Sequence, residues 1–563
     1  MQIVVEFLAL IGLILISLLR IKSAARTPLK LFPRWLPPGR RRPALVFLLI
    51  GLLAFLASAL VTVFTGIPQP AIHDEFSHLL VADTLAHGRL TNPPHPLWKS
   101  FETFHVIQQP TYASKYPPAQ GLALALGQSI FGLPIVGVWL SVGLACAAIC
   151  WMLAGWCPLR WAWMGGLVAV VRLVFSGPIF PENLESTAYW SQSYWGGAVV
   201  ALGGALVFGA LPRIMKRRRA GDALWLAVGL AILANSRPLE GLLVSIPVIG
   251  VLGFWMVRAG RLSGRSPFRQ VVAPMVLVLL PTVMWMGYYN YRLTGDPFRL
   301  AYQVHEATYG AAPVFLWQPL KAAPQYNHQT LSEFHAGWTV NGYLTQRSLS
   351  GWTRGAIWKI KSLWLFFVGF LFTPFVVALP FMRRRWKVKF ALGVCGLLMV
   401  VLLTETWSYP HYAAPVTCLV ILLLVEALRQ ARFAQWRGLP IGKSLVRAVL
   451  PMLLLSAIVP FALAQPLKQS GWHLERARLL KTLELRPGRH LVIVRYGPNH
   501  SAQQEWVYNR ADIDAARVVW ARGMNLPADR KLLDYFKDRT VWLLQVDQFK
   551  LYLTPYPVDR PAE

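Results

Sequence analysis

The chain has 563 residues, 55% of them apolar and only 14% charged. Soluble domains carry about 25% charged residues, which argues against an ordinary soluble enzyme, and the 24 Trp, 28 Phe and 18 Tyr exclude a disordered chain. The formal charge of +31 suggests a nucleic-acid partner until the basic residues are located. Half of the 56 Lys and Arg sit in six short segments free of acids, the pattern of cytoplasmic loops.

Twelve apolar stretches suit a bilayer crossing: 2–20, 44–66, 134–156, 161–180, 196–212, 222–235, 242–257, 270–289, 356–381, 390–406, 411–428 and 448–465. The first lacks a basic start and carries Glu6, so it reads as a span rather than a signal peptide. With the amino terminus outside, the basic segments 20–42, 160, 213–219, 258–269, 383–389 and 429–447 all fall inside. The same topology puts 21 of the 25 acids outside. The charge therefore reports topology and contact with anionic membrane lipids, and no nucleic-acid partner is expected. The five cysteines lie in spans or a cytoplasmic turn, so no disulfide framework is expected.

Three segments depart from plain spans. The outer loop 67–133 ends in the apolar stretch 119–133, which reads as a helix lying on the outer surface, because a crossing there would put the cluster 213–219 outside. Residues 235–241 break an apolar region at the outer face, which is tolerated only beside a cavity or against protein. The loop 291–354 is aromatic, polar and without an obvious regular pattern. After 466 the composition changes. Strands are predicted at 490–496, 518–521 and 541–546, with a helix at 531–537, as a small α/β domain outside the membrane.

The first outer loop opens Ile72-His73-Asp74-Glu75-Phe76-Ser77-His78. Two adjacent carboxylates at a membrane exit suit a general base or a cation site, and on a helix Asp74 and His78 share a face. The alternative is an amino-terminal cap, in which Asp74 accepts backbone N–H groups. Further on stand His95, Trp98, Glu102 and His105, then Lys115-Tyr116-Pro117-Pro118, whose prolines end one element before the surface helix. Lys115 there either faces an anionic group or snorkels at the interface.

A polytopic chain with an Asp-Glu pair directly after a span, a long outer loop and a Tyr-Pro-Pro before a surface helix resembles the membrane glycosyltransferases of the GT-C fold. It is most similar to the protein O-mannosyltransferase and lipid A aminoarabinose transferase branches. The resemblance covers residues 44–290, and its motif-level matches are Asp74-Glu75 and Lys115-Tyr116-Pro117-Pro118. It implies transfer of a sugar, with inversion, from a polyprenyl-phosphate carrier at the outer face to a glycan, lipid or protein acceptor. Asp74 would be the base or acceptor-positioning carboxylate, with Glu75 beside it. Branches of this fold differ in metal use, so no metal is assigned, although a divalent cation would find Asp74, Glu75 and His78 as candidate ligands.

Other segments supply parts for such a reaction. Arg237, in Ser236-Arg237-Pro238-Leu239-Glu240, suits a phosphate bidentately and is the first candidate for the donor phosphate, with Lys115 and Tyr116 next. The alternative for Arg237 is an ion pair with Glu240. Candidate substrate contacts are His78, His105, Tyr194, Trp195, Glu240 and His411, the aromatic members reading equally as an interfacial belt. In 291–354, Tyr302, His305, Glu306, Trp317, His328, His335 and Trp338 are unranked candidates for an acceptor lid.

The expected architecture is thus an all-α polytopic membrane protein with about 12 transmembrane helices, GT-C-like, plus the small C-terminal α/β domain. The expected divisions are 1–43, a catalytic module 44–290, further spans and a loop in 291–465, and the outer domain 466–563. The expected setting is a bacterial inner membrane with the active site on the periplasmic face. Two rivals remain. One is a transporter or lipid flippase, which the lack of an internal repeat disfavours. The other is a non-catalytic assembly protein that uses its tail. The sugar, the acceptor and the oligomeric state are not legible.

Overall fold

The computed structural model describes residues 2–19, 43–177, 188–263, 268–377, 379–382, 385–463, 471–548 and 550–557. The basic segment 20–42 lies outside the described residues. So do Arg265, Arg383 and Arg384, the first part (181–187) of the expected outer loop 181–195, and the start of the tail. The chain divides into two compact units. One, here the helical unit, comprises Met1–Gly66, Val138–Val283 and Trp352–Leu467; the other, the sheet-bearing unit, comprises Ile67–Gly137, Met284–Gly351 and Lys468–Glu563.

Among the described residues, eight helices are long and apolar enough to cross a membrane. They are Pro43–Thr65, Pro134–Trp156, Gly197–Arg217, Pro238–Arg258, Arg269–Thr294, Trp386–Thr404, Ala414–Ala431 and Ile441–Val459. The chain is therefore an integral membrane protein. The expected straight span at 356–381 is instead a bent pair, Leu349–Phe367 and Gly369–Val376, turned by 98°. The other expected crossings are shorter apolar helices, Val5–Leu15 and Ala220–Ala234, and the 17-residue helix Leu159–Phe175. Among the described residues eight helices meet that length and composition, or nine with the bent pair, short of the expected twelve.

Small residues set the packing of the helical unit. The window of Gly197–Arg217 is 89% buried, against 28% for Pro43–Thr65. Its sequence, GAVVALGGALVFGALP, lets neighbours approach to backbone distance. At Gly204 a side chain would run into the backbone of Pro415, and at Gly203 it would meet the carbonyl of Gly229 at 3.1 Å.

The 98° bend has a local cause. Gly369 takes φ +69, a left-handed conformation that costs glycine little. The break leaves backbone groups that lipid cannot satisfy. Arg172 Nη2 donates to the Val368 carbonyl at 2.6 Å, and the Phe370 N–H donates to Glu6 Oε2 at 2.9 Å. Arg172 and Glu6 themselves pair at 2.7 Å, with both side chains buried. The acid that marked the first span as unusual is therefore half of a buried ion pair.

The sheet-bearing unit carries two sheets. A two-residue antiparallel pair joins β1 (Val106–Ile107) to β2 (Ala113–Ser114). The larger sheet is built from β3 (His490–Tyr496), β4 (Val518–Arg522), β5 (Thr540–Asp547) and β6 (Lys550–Pro555) in the order β4-β3-β5-β6. β3 is parallel to both β4 and β5, and β6 is an antiparallel edge. β3 reads HLVIVRY without alternation because both its faces are covered. Leu491 and Ile493 join a core with Leu80, Phe101, Val106 and Tyr112, whereas Val492 and Val494 join one with Leu483, Trp506 and Trp520. The tail thus shares its core with the segment 67–133.

Two further differences concern this unit. The segment 291–354 is not irregular throughout: it forms helices Ala301–Thr308, Gln329–Ser332 and Thr339–Arg347, with a π-helical turn at Glu333–Trp338. Buried Val304, Leu331, Phe334 and Tyr343 anchor these polar helices, a tertiary effect that local pattern does not carry. The apolar stretch 119–133 forms the helix Ala119–Phe131, closed by Gly132 at φ +70. One face packs on the helix His73–Ala86, and the other exposes Leu122, Leu126, Ile130 and Phe131, the composition of a helix at a membrane surface.

Candidate functional site

The expected site residues divide between the two units. Asp74, Glu75, His78, His105, Lys115 and Tyr116 belong to the sheet-bearing unit; Tyr194, Trp195, Arg237, Glu240 and His411 belong to the helical unit.

In the sheet-bearing unit, the adjacent carboxylates have opposite fates. Glu75 turns back to its own helix start, where its Oε2 accepts the N–H groups of Ala71 at 2.9 Å and Ile72 at 3.3 Å. That satisfies donors a helix leaves orphaned, so the capping role falls to Glu75. Asp74, one residue earlier, is gripped from outside its helix. The Tyr116 hydroxyl donates to its Oδ1, and His105 Nε2 lies 3.7 Å from its Oδ2. About a quarter of the Asp74 side chain stays exposed, so a reactant can reach it.

The loop that brings Tyr116 and His105 to Asp74 is tightly tied. His105 has φ +61, strained for a residue with a side chain. Its carbonyl takes hydrogen bonds from Ser77 Oγ at 2.6 Å and from the Lys115 N–H at 3.1 Å. Ser114 Oγ meets Ser77 Oγ at 2.6 Å and accepts the Tyr116 N–H at 3.0 Å. Strain of this kind persists only where surroundings over-determine it. His78 stacks on the Tyr116 ring at 4.6 Å. It shares a site with Asp74 through Tyr116, not as a joint cation ligand. Among the described residues no group of three or more His, Cys, Asp or Glu side chains is placed to hold a metal ion. Glu75 is engaged at the helix start and His78 against a ring, so the expected trio does not form a ligand set.

Lys115 is 7% exposed and sits among aromatic faces and acids. Its Nζ is 3.9 Å from Glu306 Oε1 and lies 5.4 Å and 5.3 Å from the ring centres of Tyr116 and Tyr302. Burial lowers its pKa, while Glu306 and Asp74 pull the other way. For Glu306, burial works upward, but the His305 contact and Lys115 outweigh it and hold the carboxyl below its usual range. A buried ammonium flanked by a carboxylate can compensate an anion as it forms.

Four imidazoles line up beside this pair. Ring centres run from His73 to His105 at 5.8 Å, from His105 to His305 at 5.8 Å, and from His305 to His335 at 5.6 Å. His305 is fully buried, and neither of its nitrogens makes a well-formed hydrogen bond, the closest carboxylate oxygen being Glu306 Oε1 at 3.5 Å. Burial, and then the Lys115 charge, push His305 down to about 4. Burial takes His73 to about 3 and holds His105 and His335 well below the usual value. The four are neutral at pH 7, so they add no positive charge beside Asp74. His73 Nδ1 meets the Tyr508 hydroxyl at 2.9 Å. Neither residue was singled out from sequence, and with 435 positions between them no local signal pairs them.

In the helical unit, Asn235, Ser236 and Arg237 separate the helices Ala220–Ala234 and Pro238–Ser263, so the expected break is present. Asn235 Nδ2 and Ser236 Oγ close the first helix by bonding the carbonyls of Ala231 and Ile232. Arg237 Nη1 donates to Glu240 Oε1 at 2.6 Å, the pairing the sequence left open, and its guanidinium lies 3.8 Å from the ring centre of Tyr412. His411 Nδ1 meets the Tyr189 hydroxyl at 2.6 Å, and Trp195 packs on the His411 ring at 4.8 Å. Tyr194 is buried. Tyr189, Trp195 and His411 form an interlocked cluster in the helical unit.

No family model matches the chain, and no curated protein matches it. Solved structures show a distant likeness. The apo crystal structure of ArnT from Cupriavidus metallidurans is 11% identical, with 89% of this chain and 92% of that chain covered at a TM-score of 0.48. The same protein bound to undecaprenyl phosphate is 12% identical, with the same coverage and TM-score. The Archaeoglobus fulgidus oligosaccharyltransferase tethered to an acceptor peptide with an NVT sequon is 10% identical, with 88% of this chain and 68% of that chain covered at a TM-score of 0.46.

Proposed function

We propose that the chain is a membrane glycosyltransferase that moves a sugar from a polyprenyl-phosphate carrier to an acceptor hydroxyl at the outer face of a bacterial inner membrane. The observation that carries the reading is Asp74: a part-exposed carboxylate oriented by Tyr116 and His105, in one cluster with the buried Lys115. The resemblance of Asp74-Glu75 and Lys115-Tyr116-Pro117-Pro118 to GT-C enzymes supports it.

In this mechanism the acceptor O–H hydrogen-bonds to Asp74. Its oxygen attacks the anomeric carbon from the side opposite the phosphate, and Asp74 takes the proton. The bond from the anomeric carbon to the phosphate oxygen breaks, and that oxygen leaves with the electron pair. Inversion follows from a single displacement. The Tyr116 hydroxyl fixes one oxygen of Asp74 and leaves the other for the acceptor. Lys115 compensates the charge gathering on the phosphate, and the neutral imidazoles add no competing charge. Glu75 acts through the helix start that carries Asp74.

The test is Asp74→Asn in membranes, with expression and insertion checked, and with transfer followed from radiolabelled lipid-linked sugar. General-base losses of about 10²–10⁴ in rate are expected. Undiminished transfer refutes the assignment. Movement of unaltered lipid-linked sugar across vesicles, without transfer, favours a flippase instead.

A further inference from the structure

A second set of residues in the sheet-bearing unit surrounds a cavity of about 600 Å³ at the carboxyl ends of β3 and β4, within the range of small-molecule sites. β3 lies between β4 and β5. The chain leaves β3 for one neighbour and then, after the helix Leu526–Tyr535, enters the other. The carboxyl ends of parallel strands are where open α/β sheets collect ligands. No member of the Asp74 cluster lines this cavity.

The wall is polar, yet its permanent cation is spent. Arg522 is 2% exposed and donates Nη2 to Glu505, Nη1 to Thr330 Oγ1 and Nε to the carbonyl of Glu102. Burial pushes His328 down to about 3 and His500 down to about 4, so both are neutral. Glu333 adds a negative charge. A phosphate or carboxylate ligand would find no free positive partner and one repulsive neighbour.

What the wall does offer is hydrogen bonding of both senses. The His500 ring stacks on Tyr496 at 4.1 Å with 17° between planes, which makes a flat surface. Neither His500 nitrogen makes a well-formed hydrogen bond, with the Gln504 backbone beside the ring. Both nitrogens are buried, so the ring offers the cavity its face rather than a donor or an acceptor. Asn327 spends its amide N–H on Glu102, which leaves its carbonyl oxygen. Asn525 spends its oxygen on the Ala528 N–H, which leaves its NH₂ group. Uncharged donors and acceptors beside a flat ring pair match vicinal hydroxyl groups on a ring. We infer that this cavity is a binding site for a neutral saccharide.

The inference does not rest on the transfer reaction, because binding alone tests it. The full-length protein, in a detergent without a sugar headgroup, is titrated with methyl α-D-mannopyranoside, N-acetylglucosamine and L-arabinose. Inorganic phosphate is the contrasting probe, and saturation-transfer NMR and calorimetry are the readouts. The expected result is saturable binding of at least one sugar and none of phosphate. His500→Ala removes the ring face, and Asn525→Asp keeps the helix cap but removes the NH₂ group. Each is expected to weaken sugar binding at least about tenfold, the scale of one lost stacking or polar contact, with urea midpoints unchanged for Asn525→Asp. Absence of binding by all three sugars, preferential binding of phosphate, or sugar affinity unchanged in both variants overturns the inference.

Discussion

His305 makes the buried imidazole cluster measurable. It is fully buried and faces Lys115, Glu306, His105, His335 and Tyr309. Its pKa in the folded chain is about 4, against about 6.5 when unfolded. Between those values the unfolded state binds a proton that the native state refuses, so stability falls as pH drops from about 6.5 to about 4. At pH 5 the unfolded imidazole is almost fully charged and the native one about a tenth charged, which costs about 2 kcal/mol relative to pH 8. His73, held at about 3, adds a similar amount. The assay is urea unfolding of the detergent-solubilised protein, followed by tryptophan fluorescence from pH 8 to pH 5, on wild type and His305→Gln. The variant has no such proton to exclude. Its stability deficit at pH 8 should therefore shrink by about 2 kcal/mol at pH 5. A deficit that stays constant across this range would show that His305 titrates normally, and the neutral-imidazole account of the cluster would fail.

Two further perturbations separate structural from chemical roles. Glu6→Gln strips the partner from Arg172, whose charge then stands buried beside a broken helix; a loss of about 3–5 kcal/mol is expected, read as lower yield of inserted protein and a lower urea midpoint. A Glu6→Gln chain of unchanged stability would count against the pair as the brace of the bend. Glu75→Ala removes the acceptor of two orphaned N–H groups, a cap worth about 1 kcal/mol. It should leave more transfer activity than Asp74→Asn, and equal losses would mean that Glu75 does more than hold the helix.

The local pattern of the chain determined that many stretches are apolar enough for a membrane, where the Asn235-Ser236-Arg237 break falls, and that 119–133 is helical. It also located β3, β4 and β5, because apolar run length and punctuation by Gly and Pro are local properties. β6 escaped notice because it is an exposed edge strand, and such a strand buries no face to leave a pattern. The bend at Gly369 escaped for a different reason: its hydrogen bonds come from Glu6 and Arg172, more than 190 residues away.

At the candidate site, the sequence located Asp74-Glu75 and Lys115-Tyr116 but could not divide the labour between two neighbouring acids. A cap and a reactive carboxylate look alike in a string of letters. Only the folded loop, with Tyr116 and His105 brought round to Asp74 and backbone N–H groups left for Glu75, separates them. Likewise, a histidine's letter says nothing of its charge. The neutrality of His73 and His305 comes from burial among residues drawn from the first outer loop, the 291–354 segment and the tail, and burial is a property of the assembled core.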